Sequence, residues 1–126
     1  MSRMKIGVIA IIPYSYGFLG LQCDKGRGLT FPGGNFEREK DRTFQDTAIR
    51  ECQEEIGVTP EALTYVWHGP DGYEHTTFAF IAGWHSGQAR DSAEGRWQIV
   101  TWDGLLKSNF AAYYSVLREV MESRGL

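Results

Sequence analysis

The sequence has few of the residues that build soft-metal sites or disulfide frameworks. Its 126 residues include two cysteines and three histidines. Cys23 and Cys52 have neither zinc nor redox spacing, so we expect two buried free thiols in a reducing cytosol. His68, His75 and His85 share no metal-ligand spacing and are expected to be ordinary strand or loop residues.

Long hydrophobic segments and clusters of basic residues are also absent. The longest apolar run, residues 6–12, is too short to span a bilayer, and no signal peptide is evident, so we expect a cytoplasmic protein with no membrane partner. The formal net charge is −3 and the 13 Lys and Arg are scattered, which argues against a nucleic-acid polymer as partner. Without repeats or linkers, residues 1–126 form one predicted domain.

What the sequence does contain is a strong signal for an acidic helix that begins at Thr43 and ends at Gly57. Thr43 is a typical N-cap, and Asp46 three residues later completes a capping box. Gly57 suits the left-handed turn that ends a helix. At about 100° per residue, one apolar arc is predicted to pack on a core. Its members are Phe44, Ala48, Ile49, Cys52 and Ile56.

Three carboxylates, Glu51, Glu54 and Glu55, fall together on an arc of about 100° beside that apolar face. Like charges at this spacing repel each other and weaken the helix, so we expect a positive charge nearby that offsets the repulsion. Oxygen ligands in such an arrangement suit Mg²⁺ or Mn²⁺. A solvated acidic face without a ligand is the alternative, but it leaves Arg50 and the upstream Pro-Gly-Gly at 32–34 unexplained.

Residues 50–58, RECQEEIGV, resemble the box of the Nudix hydrolase (MutT-like) family. That box reads glycine, five residues, glutamate, seven residues, then R-E-U-x-E-E-x-G-U, where U is bulky and apolar. All five fixed letters of its second half are present, and Cys52 takes the first U position. Gly34 resembles the opening glycine, but it lies sixteen positions before Arg50 where the pattern has fourteen.

The lengthened loop leaves the first glutamate of the box without a direct match. Its slot holds Arg42 when counted back from Arg50, and Lys40 when counted forward from Gly34. We prefer Glu39 as its substitute, because it lies one position before the forward slot. The other candidates are Glu37, Asp41 and, from outside the box, Glu94.

The resemblance implies hydrolysis of a diphosphate bond in a nucleoside diphosphate linked to another group, such as a dNTP, ADP-ribose, a dinucleotide polyphosphate or a nucleotide sugar. The implied cofactor is Mg²⁺ or Mn²⁺. The implied metal ligands are Glu51, Glu54 and Glu55, to which we add Glu39 as the substitute for the first glutamate. The implied catalytic residues are Arg50 and Glu54, and Glu94 is our candidate from outside the box. We expect Gly33 and Gly34 to contribute to substrate binding, and Arg42 either to contact phosphate or to pair with Asp46.

Two other function classes compete with the enzyme. One is a Nudix-fold module that senses a small nucleotide without hydrolysing it, as loss of the first box glutamate would allow. The other is an acidic interaction domain with no nucleotide. Arg50 and the three helix glutamates favour the enzyme. The family includes many dimers, so the resemblance leaves a homodimer open.

The fold implied by the resemblance is α/β: the Nudix fold, a curved mixed β-sheet sandwiched between helices, with the box as loop–helix–loop. The predicted strands are 5–12, 18–22, 29–31, 63–68, 73–84 and 97–102, with turns or loops at 24–28, 32–34, 59–61, 69–72 and 88–95. A short turn or helix is predicted at 103–107. A helix over 110–121 is predicted to use its aromatic stripe for core packing. Candidate base-stacking residues are Tyr14, Phe36, Trp67 and Tyr73.

Overall fold

A computed structural model of the protein describes residues 5–24 and 26–126. The strands are β1 Lys5–Tyr14, β2 Gly17–Cys23, β3 Gly28–Thr30, β4 Gly33–Asn35, β5 Thr59–Glu61, β6 Thr64–Pro70, β7 His75–Ile81, β8 Trp84–Ser86 and β9 Gly95–Val100. The helices are α1 Phe44–Ile56, α2 Trp102–Leu105 and α3 Ala111–Ser123. No helix in these ranges is long and apolar enough to cross a bilayer. Position 25 of the predicted 24–28 loop lies outside the described residues.

Strand β1 is the centre of a seven-stranded mixed sheet. It pairs in parallel with β7 from Lys5↔His75 to Ile11↔Ile81, and antiparallel with β4 on its other edge. Its last residues form a hairpin with β2, which in turn pairs with β3 and β9. Strand β6 completes the sheet beside β7, and β5 pairs with β8 in a separate two-stranded sheet. The predicted mixed sheet is confirmed.

The sheet is covered on both faces, which explains why β1 is almost continuously apolar. Successive side chains of a strand point to opposite faces. Val8, Ala10 and Ile12 accordingly share a buried cluster with α1, whereas Ile11 belongs to a second cluster with α3. The predicted arrangement, with the sheet between helices, is therefore confirmed.

Helix α1 has the predicted boundaries and caps. The Thr43 side chain accepts a hydrogen bond from the Asp46 N–H at 3.1 Å, and the Asp46 carboxylate accepts one from the Thr43 N–H at 3.3 Å. Gly57 adopts φ 74°. Ala48, Cys52 and Ile56 are fully buried, so the apolar arc packs on the sheet as predicted.

Helix α3 uses its aromatic stripe for core packing, as predicted. Tyr113, Tyr114, Leu117 and Met121 are all buried. The Tyr113 hydroxyl donates to the Thr77 carbonyl of β7 at 2.9 Å, so its polar end is satisfied inside the core.

Several predicted boundaries were wrong because they depend on strand pairing. Gly33 and Gly34, predicted as a turn, form β4 against β1. Residues 59–61, predicted as a connection, form β5, and the predicted strand 73–84 is divided into β7 and β8. Pro13 was expected to end β1 but lies inside it. Tyr14 and Gly17 close the two-residue hairpin as a hydrogen-bonded pair, so the neighbouring Pro13↔Phe18 pair needs no proline N–H.

Two further expectations need correction. The turn predicted at 69–72 begins later, because Gly69 and Pro70 still belong to β6. In the turn, Asp71 accepts hydrogen bonds from the backbone N–H groups of Tyr73 and His75 at 2.8 and 3.2 Å.

The two cysteines were both expected to be buried. Cys52 is buried, and burial raises its pKa, but Cys23 is only half-buried because it lines a cavity.

Candidate active site

The acidic face of α1 borders a cavity of about 290 Å³. Glu51 and Glu55 line this cavity together with Gly33 and Gly34 of β4. Their Cα atoms are one helical turn apart on the same helix face, so both carboxylates reach the cavity. The Glu54 side chain is 55% exposed at the periphery of the group, 3.7 Å from the Arg50 guanidinium.

The two glycines of β4 allow the strand to approach these carboxylates closely. The Gly33 N–H donates to Glu55 Oε1 at 2.8 Å. A Cβ atom at position 34 would lie 2.5 and 2.7 Å from the two carboxylate oxygens of Glu51, closer than side chains tolerate. A Cβ atom at position 34 would therefore displace the Glu51 carboxylate, whereas one at position 33 would clash with the backbone carbonyl of Val8 in β1.

Glu55 is a buried carboxylate with only 8% of its surface exposed. Burial raises its pKa to about 8, the Gly33 hydrogen bond opposes this shift, and the nearby charges of Glu51 and Glu94 add to it. Burial likewise raises the pKa of Glu51, although Arg50 opposes the change. Burial is therefore the main cause of both shifts, because it disfavours the charged form of each carboxyl group.

Arg50 links the loop before α1 to the acidic face. Its Nε and one terminal nitrogen form a bidentate pair with Asp41 at 2.9 and 2.8 Å. Its other terminal nitrogen donates to Glu51 Oε1 at 2.9 Å, and Glu37 lies 3.5 Å from the same nitrogen. The guanidinium also donates to the Asn35 carbonyl at 3.1 Å. Arg50 therefore contacts Glu51 while being fixed from the opposite side.

Glu94, predicted from outside the box, lines the same cavity as Glu51 and Glu55. It precedes β9, whose first residue, Gly95, pairs with Cys23 of β2. The Glu94 N–H donates to the Ser92 hydroxyl at 3.1 Å, which fixes the backbone just before the strand. Pairing of β2 and β9 thus brings this distant glutamate to the helix carboxylates.

The structure does not bring Glu39 and Arg42 to this group. Glu39 is exposed, and its side chain makes no hydrogen bond or ion pair within residues 5–24 and 26–126. Arg42 is exposed as well, and its backbone N–H, not its guanidinium, contacts Asp46 at 2.9 Å. Neither residue lines the cavity.

Three cavity residues were not predicted from the sequence. His75 Nε2 lies 2.7 Å from Asn35 Oδ1, and His75 Nδ1 lies 3.4 Å from the carboxylate of the buried Asp71. The parallel register of β1 and β7 and the antiparallel register of β1 and β4 bring these residues together. No local pattern in the sequence indicates such a pairing.

The four candidate stacking residues occupy different environments. Phe36 and Trp67 pack against Phe44 and Tyr113, with ring centroids 5.1 Å apart in each pair. Tyr14 is 40% exposed. Tyr73 is 64% exposed and lines a depression that shares Arg27, Asp71, His75 and Phe110 with the cavity. Of the four, Tyr73 alone borders these shared residues.

The donor set at α1 fits a hard divalent cation. Glu51 and Glu55 both line the cavity and offer only carboxylate oxygens, the ligands that Mg²⁺ and Mn²⁺ prefer. In the described part of the chain, no three acidic, histidine or cysteine side chains converge into a complete ligand group. One reason is geometric: Arg50 holds Glu51, and the Gly33 N–H holds Glu55.

The NUDIX domain family model matches residues 3–122. A MutT structure from work on Aliivibrio salmonicida and Vibrio cholerae is 23% identical, with TM-score 0.72, covering 94% of this chain and 98% of that one. MutT NUDIX hydrolase from Burkholderia pseudomallei is 19% identical, with TM-score 0.75 and coverages of 94% and 99%.

A third similar structure is the NUDIX domain of Shewanella oneidensis NrtR complexed with ADP ribose. It is 16% identical, with TM-score 0.77, and the match covers 100% of this chain and 91% of that one. Such identities show a shared fold. No curated protein sequence matches this chain significantly.

Proposed function

Because this chain belongs to the Nudix hydrolase family and is a pyrophosphohydrolase of that family, we propose that it cleaves a diphosphate bond in a nucleoside diphosphate linked to another group. The substrate classes that fit are a dNTP, ADP-ribose, a dinucleotide polyphosphate and a nucleotide sugar. Mg²⁺ or Mn²⁺ is the proposed cofactor. The observation that supports this most strongly is that the buried Glu55 and the partly buried Glu51 both direct their carboxylates into a cavity of about 290 Å³.

A diphosphate is a polyanion that resists nucleophilic attack by water and repels carboxylates, so catalysis requires neutralisation of charge and activation of the nucleophile. Glu51 and Glu55 would hold the cation from inside the cavity, and Glu54 would contribute from the periphery. When bound, the cation neutralises negative charge on the phosphates. Arg50 orients Glu51 through the charge-assisted hydrogen bond at 2.9 Å.

Glu94 is the proposed general base. It lines the cavity together with Glu51 and Glu55, so it is near the proposed position of the phosphates. In the proposed step, the oxygen of a water molecule attacks phosphorus, its proton passes to Glu94, and the bond from phosphorus to the leaving oxygen breaks. Gly33 and Gly34 are proposed to let substrate and backbone approach the helix.

The experiment that tests this function is a hydrolysis assay of the wild type on a panel of the four substrate classes, with Mg²⁺, with Mn²⁺ and with EDTA. We expect release of a nucleoside monophosphate or inorganic pyrophosphate from at least one class, loss of this activity with EDTA and recovery when metal is restored. Full activity in metal-free buffer would contradict the proposed metal site.

A binding module is the second candidate. The feature that favours it is Arg42, which occupies the slot where the family pattern has its first glutamate. The NrtR domain complexed with ADP ribose gives a structural parallel for nucleotide binding on this fold. Calorimetric binding of ADP-ribose with Mg²⁺, without turnover of any substrate in the panel, would favour this candidate over the enzyme. A homodimer and a cytoplasmic location remain predictions.

A further inference from the structure

The buried Asp41 is the feature of the loop before α1 that the proposed chemistry does not use. Its side chain is 1% exposed. Its Oδ1 accepts from Arg50 Nε at 2.9 Å, while Oδ2 accepts from an Arg50 terminal nitrogen at 2.8 Å and from the Thr47 hydroxyl at 2.9 Å. The Glu37 N–H donates to the same oxygen at 3.0 Å.

These contacts leave neither Asp41 oxygen facing solvent or the cavity. The Arg50 pair and the surrounding donors hold the pKa of Asp41 well below its usual range, so it is a fixed anion. A carboxylate with both oxygens engaged by protein donors is poorly placed to bind a metal ion. Asp41 is instead placed to hold Arg50 in position. The remaining terminal nitrogen of Arg50 contacts Glu51.

The lengthened loop is what brings Asp41 to this position. The N–H groups of Lys40 and Asp41 both donate to the Glu37 carbonyl, at 2.9 and 2.8 Å, and form a turn over residues 37–41. The Glu37 N–H returns a hydrogen bond to the Asp41 carboxylate. The turn points the side chain at position 41 towards Arg50, whereas Arg42 remains exposed.

We infer, on the basis of the proposed function, that Asp41 is a positioning residue that fixes Arg50 and thereby the orientation of Glu51 as a metal ligand. Asp41 lies one position before the slot, now held by Arg42, at which the family pattern has a glutamate. Glu39 has no part in this arrangement. Supports of this kind behind a ligand typically change metal affinity or activity by about 10- to 100-fold.

The test compares Mn²⁺ binding by calorimetry for the wild type, Asp41→Asn, Glu39→Gln and Asp103→Asn. Asp103 is an exposed aspartate in the first turn of α2 and controls for loss of one carboxylate charge. We expect Asp41→Asn to weaken Mn²⁺ binding about tenfold or more, with the other two variants within about threefold of the wild type. If Glu39→Gln is the variant that loses Mn²⁺, or if Asp41→Asn binds like the wild type, the inference is overturned.

A double variant tests which position faces Arg50. Asp41→Asn with Arg42→Glu restores a carboxylate at the family spacing. We expect it to bind Mn²⁺ as weakly as Asp41→Asn, because position 42 points outward, and recovery of wild-type affinity would refute the assignment. If Asp41→Asn does not fold, Thr47→Val replaces it. That variant removes one donor to Asp41 and should weaken Mn²⁺ binding severalfold, whereas unchanged binding would count against the inference.

Kinetics separate positioning from a purely structural role. On the best substrate of the panel, Asp41→Asn should lower kcat about 10- to 100-fold with KM within about threefold, since Glu51 acts on the reacting phosphates. A lower Tm with unchanged kcat and Mn²⁺ affinity would mean that Asp41 only stabilises the fold. If the wild type binds Mn²⁺ but hydrolyses nothing, the proposed function fails while the Mn²⁺ comparison still decides the role of Asp41. Absence of Mn²⁺ binding in the wild type would overturn both.

Discussion

Replacing Glu55 with glutamine should stabilise the metal-free protein at neutral and alkaline pH. Glu55 is 8% exposed, and burial raises its pKa from the ordinary 4.5 to about 8. The hydrogen bond from the Gly33 N–H to Oε1 survives the substitution, since an amide oxygen accepts it equally. Glu55→Gln therefore removes a buried charge and keeps its main contact.

The direction in which wild-type stability changes with pH follows from the protonation of Glu55 in the folded and unfolded chains. Below about pH 4.5 the carboxyl group is protonated in both folded and unfolded chains, so it contributes no pH-dependent term. Between 4.5 and about 8 the unfolded chain releases the proton and the folded chain retains it, so wild-type stability falls as pH rises through this window and levels off above it. The difference between the unfolded and folded pKa values corresponds to about 5 kcal/mol in the free energy of unfolding. We expect a change of about 2 kcal/mol, because relaxation and water entry lower the cost of a buried charge.

Urea unfolding in EDTA measures this effect at about pH 5 and about pH 8.5. Glu55→Gln should exceed the wild type by about 2 kcal/mol at the higher pH and by little at the lower one. Glu119→Gln, at an exposed position of α3, is the matched control and should change stability equally little at both. A variant that is no more stable than the wild type at alkaline pH, or a gain independent of pH, would refute the reasoning.

Three more substitutions test the account at other points. Gly34→Ala should weaken Mn²⁺ binding in calorimetry, because its Cβ would lie 2.5 Å from a Glu51 carboxylate oxygen and would displace that carboxylate, and wild-type affinity would show that the contact is dispensable. Leu117→Ala should lower the free energy of unfolding by about 3 kcal/mol in urea, since Leu117 is fully buried. Val116→Ala on the same helix, at a side chain that is 42% exposed, should change it by less than about 0.5 kcal/mol, and equal losses would contradict the packing described.

Local sequence signals were sufficient to predict helices α1 and α3. The cap at Thr43, the stop at Gly57 and the apolar arc of α1 depend on residues at most four positions apart, so they could be predicted from the sequence. The packing stripe of α3 follows from the same periodicity. The three glutamates of α1 are on one face for the same reason.

Features that depend on long-range pairing could not be predicted in this way. Gly33 and Gly34 resemble a turn locally, and only their register with Val8 and Ile9 of β1 makes them a strand. His75 looks ordinary until the β1–β7 register places it near Asn35.

The lengthened loop shows the same limit at the site itself. Counting along the chain favoured Glu39, but a turn fixed by backbone hydrogen bonds to the Glu37 carbonyl directs Asp41 towards Arg50. Counting assumes that an insertion bulges evenly, whereas this one folds into a turn. Glu94, three residues before the predicted strand 97–102, was chosen as a candidate from outside the box, and its proximity to Glu55 depends on the pairing of β2 with β9.

The most direct test of the central claim is the hydrolysis rate of Glu51→Gln/Glu54→Gln relative to the wild type, with Mg²⁺ and the best substrate of the panel. Both proteins are purified identically and checked for folding by circular dichroism. Loss of both carboxylates should lower kcat by about a hundredfold or more, as removal of an electrostatic element at the reacting phosphates does. A folded double variant that retains a rate within about threefold of the wild type would contradict the account.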